Sequence, residues 1–270
     1  MVKQDRIGKH HILPFTKSRR NIELIVHEGF RKHSIHAIIE VDVTNAREKI
    51  RKIKQEKSKD ISFTGWLVKC VGEAISKHKE LNTFRLGKRK TVVFDDVDIP
   101  IPIERTTKNE TRPMGYIIRK VNEKSVNEIT KEIRAVQKVT VNETTQVLGD
   151  FLTKGERFIV NAPMFIKKLA IFILRRSGFL KKKHFGTVAV TSIGMKGNFP
   201  GWAIPMGSMT TTMIAIGGIT KKPGVIKDNI AVREYLHVTV TVDHDLVDGG
   251  PLARFVEEFK TIVENAQFLD

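Results

Sequence analysis

A mixed-sheet α/β layer fold, with strands and helices packed as layers, is predicted by three observations. Strand-like and helix-like segments intermix along the chain without strict βαβ alternation, which argues against a doubly wound nucleotide-binding sheet. The segment Leu236–Asp243 alternates cleanly, with Leu236, Val238, Val240 and Val242 on one face and His237, Thr239, Thr241 and Asp243 on the other. Behind it, Leu252, Phe255, Val256, Phe259, Ile262 and Val263 recur at helical spacing and build an amphipathic C-terminal helix. With 270 residues, no internal repeat and no long linker, the chain reads as one domain over 1–270.

The elements can be justified in order. Residues 1–60 mix basic and apolar positions, with a strand expected over His36–Thr44 and a charge-dense, solvated helix over Asn45–Lys59. Ser62 is placed to N-cap a helix over Phe63–His78, in which Phe63, Trp66, Leu67, Cys70, Ala74 and Ile75 share one buried face. The Val- and Ile-rich stretch Thr91–Ile103 contains an Asp-Asp pair and reads as strand–turn–strand, and Gly115–Arg119 continues the β character. Ser125 and Glu128 form a capping-box pattern before Val126, Ile129, Ile133 and Val136. Short strands follow at Thr187–Thr191 and Thr212–Ile219, then a hairpin in which Gly224–Ile226 and Ile230–Arg233 flank a Lys-Asp-Asn turn. The segment 161–184 (NAPMFIKKLAIFILRRSGFLKKKH) reads as one apolar helical run bracketed by basic clusters. It suits either a helix packed on the body with a basic exposed end or a surface that docks on an anionic membrane or a protein.

Composition narrows the function. Lys and Arg number 47 against 30 Asp and Glu, a formal net charge of +17, so an anionic partner is expected: nucleic acid, an anionic surface or a phosphate-rich ligand. A lone cysteine excludes a disulfide framework and, with no secretory signal in the opening residues, points to the cytoplasm. The longest apolar run, Leu169–Leu174, is too short to span a bilayer. No zinc-ligand spacing, aromatic-interleaved basic strand or helix-turn-helix pattern supports nucleic-acid binding, and no phosphate-cradling G-x-x-x-x-G-K-[ST] loop is present. No metal site is expected, because the remaining histidines lack carboxylates at ligand spacing.

The residues most suggestive of chemistry are Val238–Gly250 (VTVTVDHDLVDGG). His244 shares parity with Val242, which would set an imidazole at the rim of the core, partly desolvated, where the strand runs out. Asp248 follows four residues later, and Gly249-Gly250 let the backbone turn sharply. A histidine with a carboxylate that fixes its loop or ring is a general-base arrangement.

Together with Glu40–Lys49 (EVDVTNAREK), Ser62–Thr83 (SFTGWLVKCVGEAISKHKELNT), Asp95–Ile103 (DDVDIPIPI) and Val188–Gly197 (VAVTSIGMKG), this block resembles the catalytic domain of the 2-oxoacid dehydrogenase acyltransferases. These dihydrolipoamide acyltransferase cores are similar in fold to chloramphenicol acetyltransferase, so the resemblance implies a two-layer fold of that kind. It runs in order from about Arg6 to Gln267, and Asp243, His244, Asp248 and Gly249 match the family's D-H-R-x-x-D-G signature. It implies that His244 takes the thiol proton of coenzyme A or dihydrolipoamide, and that the thiolate attacks an acyl thioester without an acyl-enzyme. The family's oxyanion-stabilising hydroxyl falls on Thr191, with Ser192 the alternative if the register slips by one. Asp248 would hold the histidine loop by pairing with an N-terminal arginine, Arg19 or Arg20. The family's trimers imply active sites between subunits, so His244 and Thr191 would come from different chains.

Departures from the family pattern are also visible. Asp245 replaces the arginine after the histidine, Ile204–Met209 replaces an N-P-P-Q-like stretch, and Met114–Arg119 matches a G-L-V-V-P-V-I strand only loosely. Residues 161–184 stand as an atypical basic and apolar insertion. Without a lipoyl or subunit-binding domain, a stand-alone core is expected, with the lipoyl group arriving on a separate protein, such as an acidic carrier, or a different acceptor. A catalytically weak oligomeric scaffold of the same fold is the alternative reading.

Overall fold

The computed structural model describes residues 7–56, 60–106, 111–139, 146–147, 150–151, 153–194 and 200–269. Its helices are α1 (Lys17–Phe30), α2 (Thr44–Glu56), α3 (Phe63–Lys77), α4 (Val126–Lys138), α5 (Lys154–Asn161), α6 (Met164–Arg176), α7 (Gly178–Phe185) and α8 (Gly249–Glu264). Its strands are β1 (Ser34–Asp42), β2 (Thr83–Leu86), β3 (Lys90–Val93), β4 (Ile99–Thr106), β5 (Thr111–Ile118), β6 (Gln146–Val147), β7 (Asp150–Phe151), β8 (Val188–Ser192), β9 (Thr212–Ile226) and β10 (Asn229–Asp243).

Local chemistry explains most helix starts. Ser62 accepts a hydrogen bond from the Gly65 amide at 3.2 Å, and α3 then buries Trp66, Leu67, Cys70, Ala74 and Ile75 as its spacing requires. Cys70 is wholly buried, and that burial pushes its thiol well above the usual range, as an inert core residue should behave. Ser125 and Glu128 exchange both bonds of a capping box at the start of α4. α2 is more than a solvated helix, because Ala46, Ile50 and Ile53 bury one face.

The central sheet has the order β1-β10-β9-β8, with β8 parallel to β9 and the other pairs antiparallel. β9 and β10 are one long hairpin, turning at Lys227 and Asp228, whose positive φ values of 47° and 65° match the right-handed twist of the flanking strands. Leu236, Val238, Val240 and Val242 join Val188, Val190, Ile214 and Ile216 in a core closed by α3 and α8. The sheet is therefore mixed and covered by helices on that face, the predicted layer arrangement.

Several expectations need correction. Thr91–Ile103 is strand–turn–strand as its pattern predicts, but the two strands do not pair with each other: β3 pairs back onto β2 and β4 forward onto β5 across the turn at 94–98. β1 covers Ser34–Asp42 and not His36–Thr44, since Thr44 already opens α2. Residues 161–184 form no single helix; Pro163 caps α6, and Ser177, whose Oγ accepts from the Leu180 amide at 3.3 Å, starts α7. α1, capped by Thr16, was hidden by its mixed charge pattern.

β8 is anchored through one buried residue, Asp98. Asp98 accepts from Arg119 Nη1 at 3.1 Å and from the Lys120 amide at 2.9 Å, and its main chain bonds Thr187 immediately before β8. Gly186, at φ +70°, lies so close to the Asp98 carbonyl that a Cβ would come within 2.6 Å of it.

Candidate active site

β10 ends at Asp243, and a tight turn over the next residues brings the Leu246 and Val247 amides back to the Asp243 carbonyl, both at 3.0 Å. The Asp243 side chain adds a bond from the Asp245 amide at 3.2 Å. His244 donates its amide to the His33 carbonyl at 2.8 Å, so the loop is fastened to the residue just before β1. Asp248 N-terminally flanks α8, and its Oδ1 lies 3.5 Å from His244 Nδ1. This contact is made through Nδ1 and leaves Nε2 on the other side of the ring. After the turn the His244 side chain is 45% exposed, so the ring is partly desolvated, though it stands outside the buried face formed by Val238, Val240 and Val242.

Asp245 does not burden His244 with an idle charge. Its Oδ1 lies 2.9 Å from His33 Nδ1, and that contact raises the His33 pKa above its ordinary value. Among the described residues Asp248 makes no pairing with an arginine. Arg19 and Arg20 sit in the first turn of α1, and the other end of that helix, at Gly29, packs on Gly207, with the His244 loop fastened a few residues further on at His33. Eleven residues of helix put those arginines about 16 Å up the axis, and among the described residues the ion pair of Asp248 is with His244.

Thr191 and Ser192 lie on β8 and are separated by the alternation of the strand. Ser192 shares parity with Val188 and Val190 and faces the core side, where its Oγ is buried without a hydrogen-bond partner. It lines a cavity of about 240 Å³ with Arg47, Phe63, Leu67 and Leu236. Thr191 faces the opposite way, onto the side of the sheet that carries Thr239, His237 and His36.

That second face is polar and only partly covered. Residues 200–211 cross it: Trp202 donates to the Ile39 carbonyl at 2.8 Å and sets its ring against His237. Beneath this segment Thr239 is fully buried with its Oγ1 unpartnered. Ile38, Trp202, Ile204 and Met206 remain exposed around it.

One chain does not bring the candidate groups together. Thr191 pairs with Ala215 and Ala215 with Thr239, and His244 lies five residues further along. Two strand spacings and five residue rises separate them by roughly 19 Å. Sequence reasoning missed the features that flank the site, the His33–Asp245 contact and the half-buried Lys32. Burial lowers the Lys32 amine to about 8 despite Asp243 nearby, and no periodic signal marked either feature.

The sheet order, its helical cover and the histidine loop at the end of β10 define an acyltransferase-type fold. The family model described as "2-oxoacid dehydrogenases acyltransferase (catalytic domain)" matches residues 8–161 and 173–269, and the chain belongs to that family. A relative from Bacillus subtilis, the lipoamide acyltransferase component of branched-chain alpha-keto acid dehydrogenase complex, is 26% identical over 234 residues, covering 84% of this chain and 46% of its own length. The dihydrolipoyllysine-residue acetyltransferase component of pyruvate dehydrogenase complex of Corynebacterium glutamicum is 24% identical over 240 residues, covering 85% and 30%. The chain thus spans less than half the length of these two relatives. Among solved structures, a probable dihydrolipoamide acetyltransferase of Listeria monocytogenes has the same fold, with TM-score 0.65, 21% identity and 96% of each chain covered. The dihydrolipoamide acetyltransferase of Azotobacter vinelandii, in whose catalytic mechanism a serine, a histidine and an asparagine four residues beyond it were investigated, aligns at TM-score 0.69 and 14% identity over 100% of this chain and 97% of that one.

Proposed function

We propose that the protein transfers acyl groups between coenzyme A and a thiol acceptor such as dihydrolipoamide, at sites shared by two subunits of a trimer. The observation that carries this reading is His244 held by Asp248 through Nδ1 on the loop after β10. The four-residue spacing of that pair is also the spacing of the histidine and asparagine of the Azotobacter enzyme.

His244 Nε2 takes the proton of the attacking thiol, from coenzyme A or from the dihydrolipoyl group of a carrier protein. The thiolate forms a bond to the thioester carbonyl carbon, and the carbonyl electrons move onto oxygen. Thr191 of a neighbouring subunit donates its hydroxyl to that oxyanion, a contribution on the order of 10²–10³ in rate. When the intermediate collapses, the original carbon–sulfur bond breaks, and the departing thiolate recovers the proton from His244. Each thiol that enters is balanced by one that leaves, so no acyl-enzyme and no metal are needed. Thr191 suits this role better than Ser192, because it shares the polar face of the sheet with Thr239 while Ser192 shares the core face with Val188 and Val190. The roughly 19 Å between Thr191 and His244 in one chain and the exposed apolar residues around Trp202 both support assembly.

The test is transfer from acetyl-, propionyl- and branched acyl-CoA to dihydrolipoamide by wild type, His244→Ala and Thr191→Ala. Each variant alone is expected to lose activity, and a co-assembled mixture of the two should regain roughly a quarter of the wild-type rate, because each site draws one residue from each of two chains. Inactivity of the wild type with every donor, or full activity of His244→Ala, would sink the enzymatic reading in favour of a scaffold. Full loss with no regain in the mixture would refute the shared site.

A further inference from the structure

α6 is the part of the chain least explained by the catalytic fold. Most of it, 164–172, falls in the gap between the two stretches matched by the family model. It lies beside α1, tied by Lys167 Nζ to Asn21 Oδ1 at 2.8 Å and by Arg175 to Glu28 at 3.9 Å. Both helices turn large apolar side chains outward: Ile22, Val26 and Phe30 on α1, and Phe165, Leu169 and Ile173 on α6, of which Phe165 is 72% exposed. A helix hydrophobic towards solvent has to be covered by something.

The charges carried by α6 itself are of one sign, whereas α1 adds Glu23 and Glu28, the latter paired with Arg175. No Asp or Glu occurs between Glu156 and Asp228, a stretch that includes Lys167, Lys168, Arg175, Arg176 and Lys181–Lys183. Where α1 and α6 meet, Lys17, Arg20 and Lys167 crowd together, and partial burial with that mutual repulsion lowers the Lys167 pKa. Arg175 and Arg176 both lie over the Phe172 ring, at 4.7 and 3.9 Å, so their charged ends stand against an aromatic face.

We propose that the α1–α6 face docks on the surface of an anionic lipid bilayer. The exposed apolar residues suit an element lying in the headgroup plane, and the long Lys and Arg stems let the charges reach lipid phosphates while their methylenes stay in the apolar layer. A second copy that met this face with its own would set one basic rim against the other. No helix of the structure is long and apolar enough to cross a membrane, so attachment would be peripheral.

Sedimentation with vesicles tests this on the whole protein. Wild type should pellet with phosphatidylcholine vesicles containing phosphatidylserine or phosphatidylglycerol, weakly or not at all with phosphatidylcholine alone, and less as salt rises. Lys168→Gln/Arg176→Gln should weaken the apparent affinity about 25-fold, at roughly fivefold per charge, and Phe165→Ser/Leu169→Ser should abolish pelleting. Unchanged thermal melting shows that each variant is folded, because all four side chains are on the surface. Failure to bind anionic vesicles, equal binding to neutral ones, or a fall in the solution mass of the protein on Phe165→Ser/Leu169→Ser would overturn the proposal, the last by assigning the face to a second copy.

Discussion

The two faces of the central sheet are buried by different means. On the helical side Val238, Val240 and Val242 meet α3 and α8 and form an ordinary aliphatic core. On the other side His237, Thr239 and Thr241 are equally inaccessible, yet they lie under a single extended segment, and Thr239 keeps an unpartnered hydroxyl. The first face is filled for stability. The second gives up stability for polar groups and leaves Trp202, Ile204 and Met206 uncovered. That asymmetry indicates on which side of the sheet chemistry and assembly are to be sought.

The largest effect that would test the comparison is on turnover. Thr191→Ala should reduce acyl transfer about 10²–10³-fold, whereas Ser192→Ala, one residue along on the filled face, should leave kcat within a factor of a few. Equal losses would show that the two faces are not functionally distinct. Next comes stability: Val240→Ala should cost about 2–3 kcal/mol by leaving a cavity, while Thr239→Val should be neutral or stabilising, since it replaces a buried unsatisfied hydroxyl by a methyl group. Urea unfolding of both variants measures this directly.

Smaller effects come from titration at the open end of the sheet. Lys32 has a folded pKa near 8 against an ordinary 10.5, so folding disfavours its proton. The penalty is complete below about 8 and is relieved as pH climbs from there towards 10.5, so stability should rise over that window. Lys32→Met should flatten this rise. The smallest expected effect is at His33, whose pKa is raised by Asp245: its contribution is present below the ordinary value of 6.5 and is lost as pH rises through the folded pKa. The pair is exposed, and Asp245→Asn should change stability below pH 6.5 only marginally.

What was legible in the sequence was local. The Ser62 cap, the Ser125–Glu128 box, the alternation of Leu236–Asp243 and the turn at Lys227-Asp228 each depend on residues a few positions apart. Pairing was not legible: β3 returns to β2 because the chain changes direction at 94–98, and no short-range pattern records that choice. The site was half legible. Its residue types and order stood in Val188–Gly197 and Val238–Gly250, but strand parity sent His244 towards the core when the turn after Asp243 sends it outward. The partners of Asp248 and Asp245 depend on how the ends of α1 and β10 meet, which only the folded chain reveals.

The distance across the sheet between Thr191 and His244 has a stoichiometric consequence. If each site takes its histidine from one chain and its hydroxyl from the next, a subunit lacking both spoils the sites on both of its sides. Doping wild type with the doubly altered chain would then lower activity as the square of the wild-type fraction, while doping with His244→Ala alone would lower it in simple proportion. The curvature of that titration, read without any structure, counts how many chains make one site.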